Sequence, residues 1–97
     1  MNNEPQEKDL SEVLSDLMRR KMVDEDGFII PSFEYDIYLK KSFVNDGLTK
    51  ARVNDLLRDV EARTEKNYNI LMHIDILQAI GNVIKVEVNV LSYGLRD

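Results

Sequence analysis

The 97-residue chain has no cysteine, no tryptophan, two prolines, four glycines and one histidine. Without cysteine there is no disulfide, no thiol nucleophile and no thiolate ligand for zinc. Gly27, Gly47, Gly81 and Gly94 are isolated from one another. That spacing excludes a phosphate-binding loop and a dinucleotide fingerprint, both of which need clustered glycines. The lone histidine, His73, has Asp75 two residues on, but no nucleophile elbow accompanies the pair, so a surface or edge histidine is the expected reading. No apolar run approaches the ~18 residues of a membrane span, and Met1 to Leu10 lack the apolar core of a signal peptide. Synthesis in a cytoplasm, with no membrane partner, is therefore expected.

Positive charge is also in short supply. Lys and Arg number 13 against 18 Asp and Glu, a net charge of −5. The basic residues sit in short groups, Arg19–Lys21 and Lys40–Lys41, each near an expected helix end. A phosphate backbone would be repelled by that field, so no nucleic-acid partner is expected.

What is present is the composition of one folded domain, 43% hydrophobic and 32% charged. Residues 1–8 lack apolar periodicity and read as a flexible tail ahead of a domain over 9–97. Asp9 caps a first helix, with Glu12 in a box-like position. Leu10, Val13, Leu14, Leu17, Met18 and Met22 form its apolar stripe, and Arg19, Arg20 and Lys21 favour its last turn. Asp24-Glu25-Asp26-Gly27 turns the chain. The cluster lacks the ligand spacing of a calcium loop and reads as a solvated acidic turn. Phe28-Ile29-Ile30 reads as a brief extended segment closed by Pro31.

Ser32 to Val44 carries two signals. Phe33, Tyr35, Ile37 and Leu39 alternate as in a strand. Ser32 as a cap, Glu34 and Asp36 in a first turn and Lys40 and Lys41 in a last turn favour a helix. The charge order decides for a helix. Asn45-Asp46-Gly47 is a turn, and Thr49 caps the longest helix, Lys50 to Lys66, with Leu48 and Val53 as a hydrophobic staple. Its buried stripe is Val53, Leu56, Leu57, Val60 and Thr64. Ile70 to Leu77 and Ile84 to Leu91 then alternate with period two around Gly81-Asn82, the pattern of an antiparallel hairpin. The expected fold is α+β, about three helices packed on a small antiparallel sheet that ends in a C-terminal hairpin.

Little in this pattern carries chemistry. Glu61 and Glu65 lie four apart on one helix, but Arg58 and Arg63 flank them, so ion pairs are expected rather than an acid/base pair. No catalytic, cofactor-binding or metal-ligating residue is assigned, and neither a cofactor nor a small-molecule substrate is expected. The remaining feature is an exposed sheet edge, to which a partner can add a strand through main-chain hydrogen bonds. Lys85, Glu87 and Asn89 would guard the outer face of the last strand. The alternative is that the chain's own tail or a loop covers that edge.

The order of elements, a helix, a Gly turn, an extended Pro segment, a short helix, a turn, a capped helix and a hairpin, resembles the lysozyme-like baseplate wedge proteins of contractile phage tails. Asp26-Gly27-Phe28 and Phe33-Glu34 stand at that family's glycine and aromatic positions. Glu65-Lys66-Asn67 stands where the family has Glu-Pro-Arg, and only Glu65 is retained. The resemblance implies a non-enzymatic structural subunit of a virion tail baseplate. It would dock on other wedge proteins and template the tail sheath by β-strand addition. It assigns Val86, Val88 and Val90 to the shared sheet, and Glu65 and Asn67 to wedge contact. A small acidic adaptor or inhibitor that binds one soluble protein is the alternative.

Overall fold

A computed structural model describes residues 9–39 and 49–94. The fold is α+β: helix α1 (Leu10–Lys21), strand β1 (Ser32–Tyr38), helix α2 (Lys50–Tyr68), and strands β2 (Ile70–Ile80) and β3 (Val83–Tyr93). The three strands form one antiparallel sheet in the order β1-β3-β2. Helix α2 packs on β2, and α1 packs on α2. No described helix is long and apolar enough to cross a membrane.

Helix α1 begins where Asp9 accepts a hydrogen bond from the Glu12 N–H (2.9 Å) and ends in a turn rich in basic side chains. Leu14, Met18 and Met22 are buried, whereas Val13 is exposed. The chain then reverses through an Asx turn. The Asp24 carboxylate accepts from the Asp26 and Phe28 N–H groups, and Gly27 takes φ +85°. Val23 and Ile29 pair in an isolated bridge, which makes Phe28–Ile30 extended as its composition suggests.

Where residues 32–38 of the helix expected over Ser32–Val44 are described, they form a strand instead. Ser32–Tyr38 is a strand, paired with β3 from Ser32↔Asn89 to Tyr38↔Val83. Two helices and three strands, rather than about three helices, therefore make up the described residues. The alternation of Phe33, Tyr35, Ile37 and Leu39 prevails over the helix-like cap and charge order. As a strand, this segment places four apolar side chains on the helix-facing side of the sheet and gives β3 a second line of hydrogen bonds. A dipole effect worth ~0.3–1 kcal/mol cannot compete with that. The rest of that segment, the Asn45-Asp46-Gly47 turn, Leu48 of the staple and the tail 1–8 lie outside the described residues.

Helix α2 is capped by Thr49, which accepts from the Arg52 N–H (3.2 Å). It closes at Asn69, whose φ of 56° gives the left-handed cap. Its Val53, Leu57, Val60 and Thr64 are buried on the predicted stripe. Opposite them lie Ile70, Met72 and Ile74 of β2 and Ile84, Val86 and Val88 of β3. Two bulges interrupt the β2–β3 ladder, with the extra residue at Leu77 in one and Leu91 in the other. Both leucines are exposed. After the first bulge Ile80 pairs with Val83, so Ile80 turns outward.

Polar contacts fasten α1 to α2. Thr64 Oγ1 donates to the Val60 carbonyl (2.8 Å), so it accepts from the buried Ser15 hydroxyl (3.0 Å). At the solvent rim, Arg63 joins Asp9 (3.0 Å), Glu12 (3.3 Å) and Asp59 (3.1 Å), tying the α1 cap to α2. Hydrogen bonds from Ser11 and Arg63 hold the Asp59 carboxyl below its ordinary pKa.

Two outcomes follow. Thr64→Val strands the Ser15 hydroxyl in the interior and should cost about 1–3 kcal/mol in urea unfolding, whereas the Ser15→Ala/Thr64→Val double variant should recover most of that loss. Because the folded Asp59 carboxyl titrates below its unfolded value of about 3.9, its stabilisation is complete above that value and is lost as pH falls through the folded one. Asp59→Asn should therefore lower stability by a nearly constant amount at neutral and alkaline pH and flatten this part of the acid unfolding limb.

Candidate docking edges of the sheet

In an antiparallel sheet successive residues direct their N–H and C=O groups to alternate sides. The Pro31 carbonyl accepts from Val90 N–H (2.8 Å) and the Leu39 N–H donates to the Asn82 carbonyl (2.8 Å). The odd-numbered residues of β1 therefore face β3. By the same parity, the N–H and C=O groups of Ser32, Glu34, Asp36 and Tyr38 point away from the sheet. No described strand pairs with them, and all four residues are exposed. Among the described residues, no strand pairs with this edge along its length.

The opposite edge is different. At β2, α2 sends two side chains around the strand onto the backbone of Ile74. Glu61 Oε2 accepts from the Ile74 N–H (2.7 Å), and Arg58 Nη2 donates to the Ile74 carbonyl. Arg58 and Glu61 are themselves ion-paired at 3.0 Å, one helical turn apart. Together they supply one donor and one acceptor where an added strand would do so. The edge is occupied midway along its length.

This clamp reaches His73 on the outer face. Arg58 Nη1 lies 3.2 Å from His73 Nδ1, Glu61 Oε2 lies 3.4 Å from the same nitrogen, and Asp75 lies 3.0 Å from Nε2. Nδ1 thus sits between the Arg58 guanidinium and the Glu61 carboxylate, and Nε2 faces the Asp75 carboxylate. Both ring nitrogens are engaged by neighbouring side chains, which suits a fastening rather than a general base.

The residues assigned to partner contact separate in space. Val86 and Val88 are fully buried and Val90 is half-buried, all on β3. That strand lies between β1 and β2, so it has no edge to offer, and these three valines are corrected from partner contacts to core. The hairpin reading placed the last strand outermost because it lacked the third strand; β1 takes that place. Lys85, Glu87 and Asn89 accordingly line the outer face of a central strand, half-buried. Glu65 and Asn67 are exposed in the last turns of α2. The Glu65 carbonyl accepts from the Asn69 N–H (2.9 Å), and Asn67 borders a shallow hollow with Asp59, Ala62, Arg63 and Lys66. Glu61 and Glu65 do not act together, since Glu61 is committed to Ile74 and Arg58.

Sequence reasoning read Arg58 and Glu61 only as a surface ion pair. Their three-residue spacing signals such a pair, but their reach to the Ile74 backbone depends on how α2 crosses β2, which no local pattern records. The open edge of β1 was likewise hidden behind the helix assignment.

Glu61→Ala should expose the Ile74 N–H. Its amide hydrogen exchange should quicken by an order of magnitude or more, corresponding to about 1–3 kcal/mol of lost protection, whereas the amide of Val88 in the sheet centre should change far less.

No protein-family model, no curated protein and no solved structure matches this chain.

Proposed function

We propose that this chain is a non-catalytic assembly subunit that docks on another protein by accepting a β-strand along β1. The observation that carries this reading is the asymmetry of the sheet. The outward N–H and C=O groups of Ser32, Glu34, Asp36 and Tyr38 have no strand partner among the described residues, while Arg58 and Glu61 close the other edge at Ile74. An unpaired edge with exposed, in-register backbone groups is the template that strand addition uses. Each main-chain bond contributes only ~0.5–1.5 kcal/mol net, so such docking gains strength where several copies engage together.

The narrower form of the proposal is a contractile-tail baseplate wedge subunit, which meets other wedge proteins and the first sheath ring in the virion. The capped long helix followed by a hairpin supports it. The short helix that the resemblance sets at Ile37–Val44 begins within the end of β1 and otherwise lies outside the described residues. Glu65 and Asn67, exposed at the end of α2, remain the residues proposed for wedge contact. The alternative, an adaptor or inhibitor that binds one soluble protein, draws on the acidic outer face of the sheet, which suits a basic partner.

Glu34→Pro provides the test. Glu34 directs its N–H to the open edge, so proline there removes an edge donor and no ladder bond. The tagged protein, isolated from its native producer, should bring down a partner identifiable by mass spectrometry, and Glu34→Pro should lose that partner while keeping its cooperative unfolding transition. Recovery of sheath and wedge proteins would support the baseplate form, and recovery of a single soluble protein would favour the adaptor. A partner retained in full by the folded Glu34→Pro protein would sink docking at β1.

A further inference from the structure

The register of the sheet fixes what lies beside the open edge, and so which strand suits it. On the outer face, the paired residues form lateral rows. Glu34, Glu87 and Asp75 make one row, one carboxylate from each strand. Adjacent strands lie ~4.8 Å apart, so these three acids stand side by side across the sheet. Like charges directly opposite one another destabilise a sheet. Glu87 is relieved by the Asn89 side-chain amide (3.2 Å), and Asp75 by His73 (3.0 Å). Glu34, at the open end of the row, has no hydrogen bond or ion pair among the described residues. The next row is Asp36, Lys85 and Gln78, and the one after it Tyr38, Val83 and Ile80, which is apolar and exposed at both ends.

The helix-facing side differs. Phe33 and Tyr35 are half-buried, whereas Ile37 beside them is buried. Helix α2 packs on β2, at the far side of the sheet from β1. Phe33 and Tyr35 pack against the edge of the core, and the Lys21 ammonium stands over the Tyr35 ring, 5.8 Å from its centroid. Among the described residues, Phe33 and Tyr35 thus keep part of their apolar surface exposed beside the β1 edge.

We infer that the strand accepted at β1 alternates cationic and apolar side chains, with a lysine or arginine set against Glu34 and Asp36 on the outer face and apolar residues set against Phe33, Tyr35 and Ile37 on the inner one. This rests on strand addition at β1 and adds the chemistry of the partner. The cation extends the Glu34–Glu87–Asp75 row with the opposite sign and relieves the repulsion at its end. The apolar side chains cover Phe33 and Tyr35. A strand with acids at the same positions would lengthen the like-charged row, so the row selects against it as well as for its opposite. A second copy of β1 is excluded on these terms, because it would bring its own Glu34 and Asp36 to the same face.

The test uses two blocked heptapeptides, acetyl-Lys-Val-Lys-Val-Lys-Val-Lys-amide and the same peptide with glutamate for lysine, titrated into the isotopically labelled full chain by NMR. The lysine peptide should slow amide exchange at Ser32, Glu34, Asp36 and Tyr38. It should bind about tenfold more tightly than the glutamate peptide at low salt, a difference that shrinks as salt rises. Glu34→Lys should remove most of that preference. Asp55→Lys, the same charge change on the exposed face of α2, should leave it unchanged, which separates a local row from the protein's net acidity. Equal binding of the two peptides at β1 would overturn the charge rule while leaving strand addition in place. Protection of the β1 amides by neither peptide would overturn strand addition itself. Shifts on the outer face without protection of β1 amides would show a cation resting on the surface and would overturn the proposal.

Discussion

Half of the backbone groups of β3 face away from β2, and they belong to the residues whose side chains are most deeply buried. Val86, Val88 and Val90 turn their side chains toward the helices and their N–H and C=O groups toward β1. In a two-stranded hairpin those groups would lie beside apolar surface with no partner, a cost of order 1–3 kcal/mol for each one cut off from water. A third strand is the remedy, and Ser32–Tyr38 is the segment that supplies it. Once β1 is in place, β3 is central, the inner face is wide enough to carry both helices, and the outermost backbone row moves to Ser32, Glu34, Asp36 and Tyr38.

That dependence explains where the sequence misleads. Glu34 and Asp36 early and Lys40 and Lys41 late in the segment are the order a helix dipole selects, and a local reading weighs them against the alternation of Phe33, Tyr35, Ile37 and Leu39. The deciding quantity is the unmet hydrogen-bonding demand of a strand about fifty residues downstream, which a window of a dozen residues does not contain. The same acids take on a different meaning in the strand, where they line the outer face beside the open edge. By contrast, α1, α2 and the hairpin were legible because each carries its own punctuation: Asp9 and Thr49 as caps and Gly81 at the hairpin turn; the left-handed stop at Asn69, past the expected end at Lys66, was not read. The bulges at Leu77 and Leu91 left no local signature. They emerge only when the two strands are set in register.

The two rims of the sheet are treated differently, and the difference lies in α2. Arg58 and Glu61 face β2 because α2 packs there, and one helical turn between them matches the reach needed to meet both the N–H and the C=O of Ile74. A charged pair that merely decorated the helix surface would contribute little. Here each charge also satisfies a backbone group and is held by it. The His73–Asp75 contact continues the fastening onto the outer face. An isolated hydrophobic strand edge at β2 would be a hazard for unspecific pairing, since Ile70, Met72, Ile74 and Ile76 all direct backbone groups that way by the parity of the ladder.

Closing one edge has a consequence for assembly. A sheet open at both edges can accept a strand on one side and donate a pairing surface on the other, and repetition of that step builds a filament without an end. With Ile74 occupied, the proposed addition at β1 would be terminal: the new strand would become the outermost one and the opposite rim would not grow. The acidic row restrains the remaining edge in turn, because two copies meeting at β1 would bring Glu34 against the acids of the second copy. On the proposed docking, the like charges of this row disfavour pairing of the β1 edge with itself and favour a strand of opposite charge. A local rule of sheet design, that like charges do not stand opposite one another, is broken beside the edge at which the proposed partner strand would repair it.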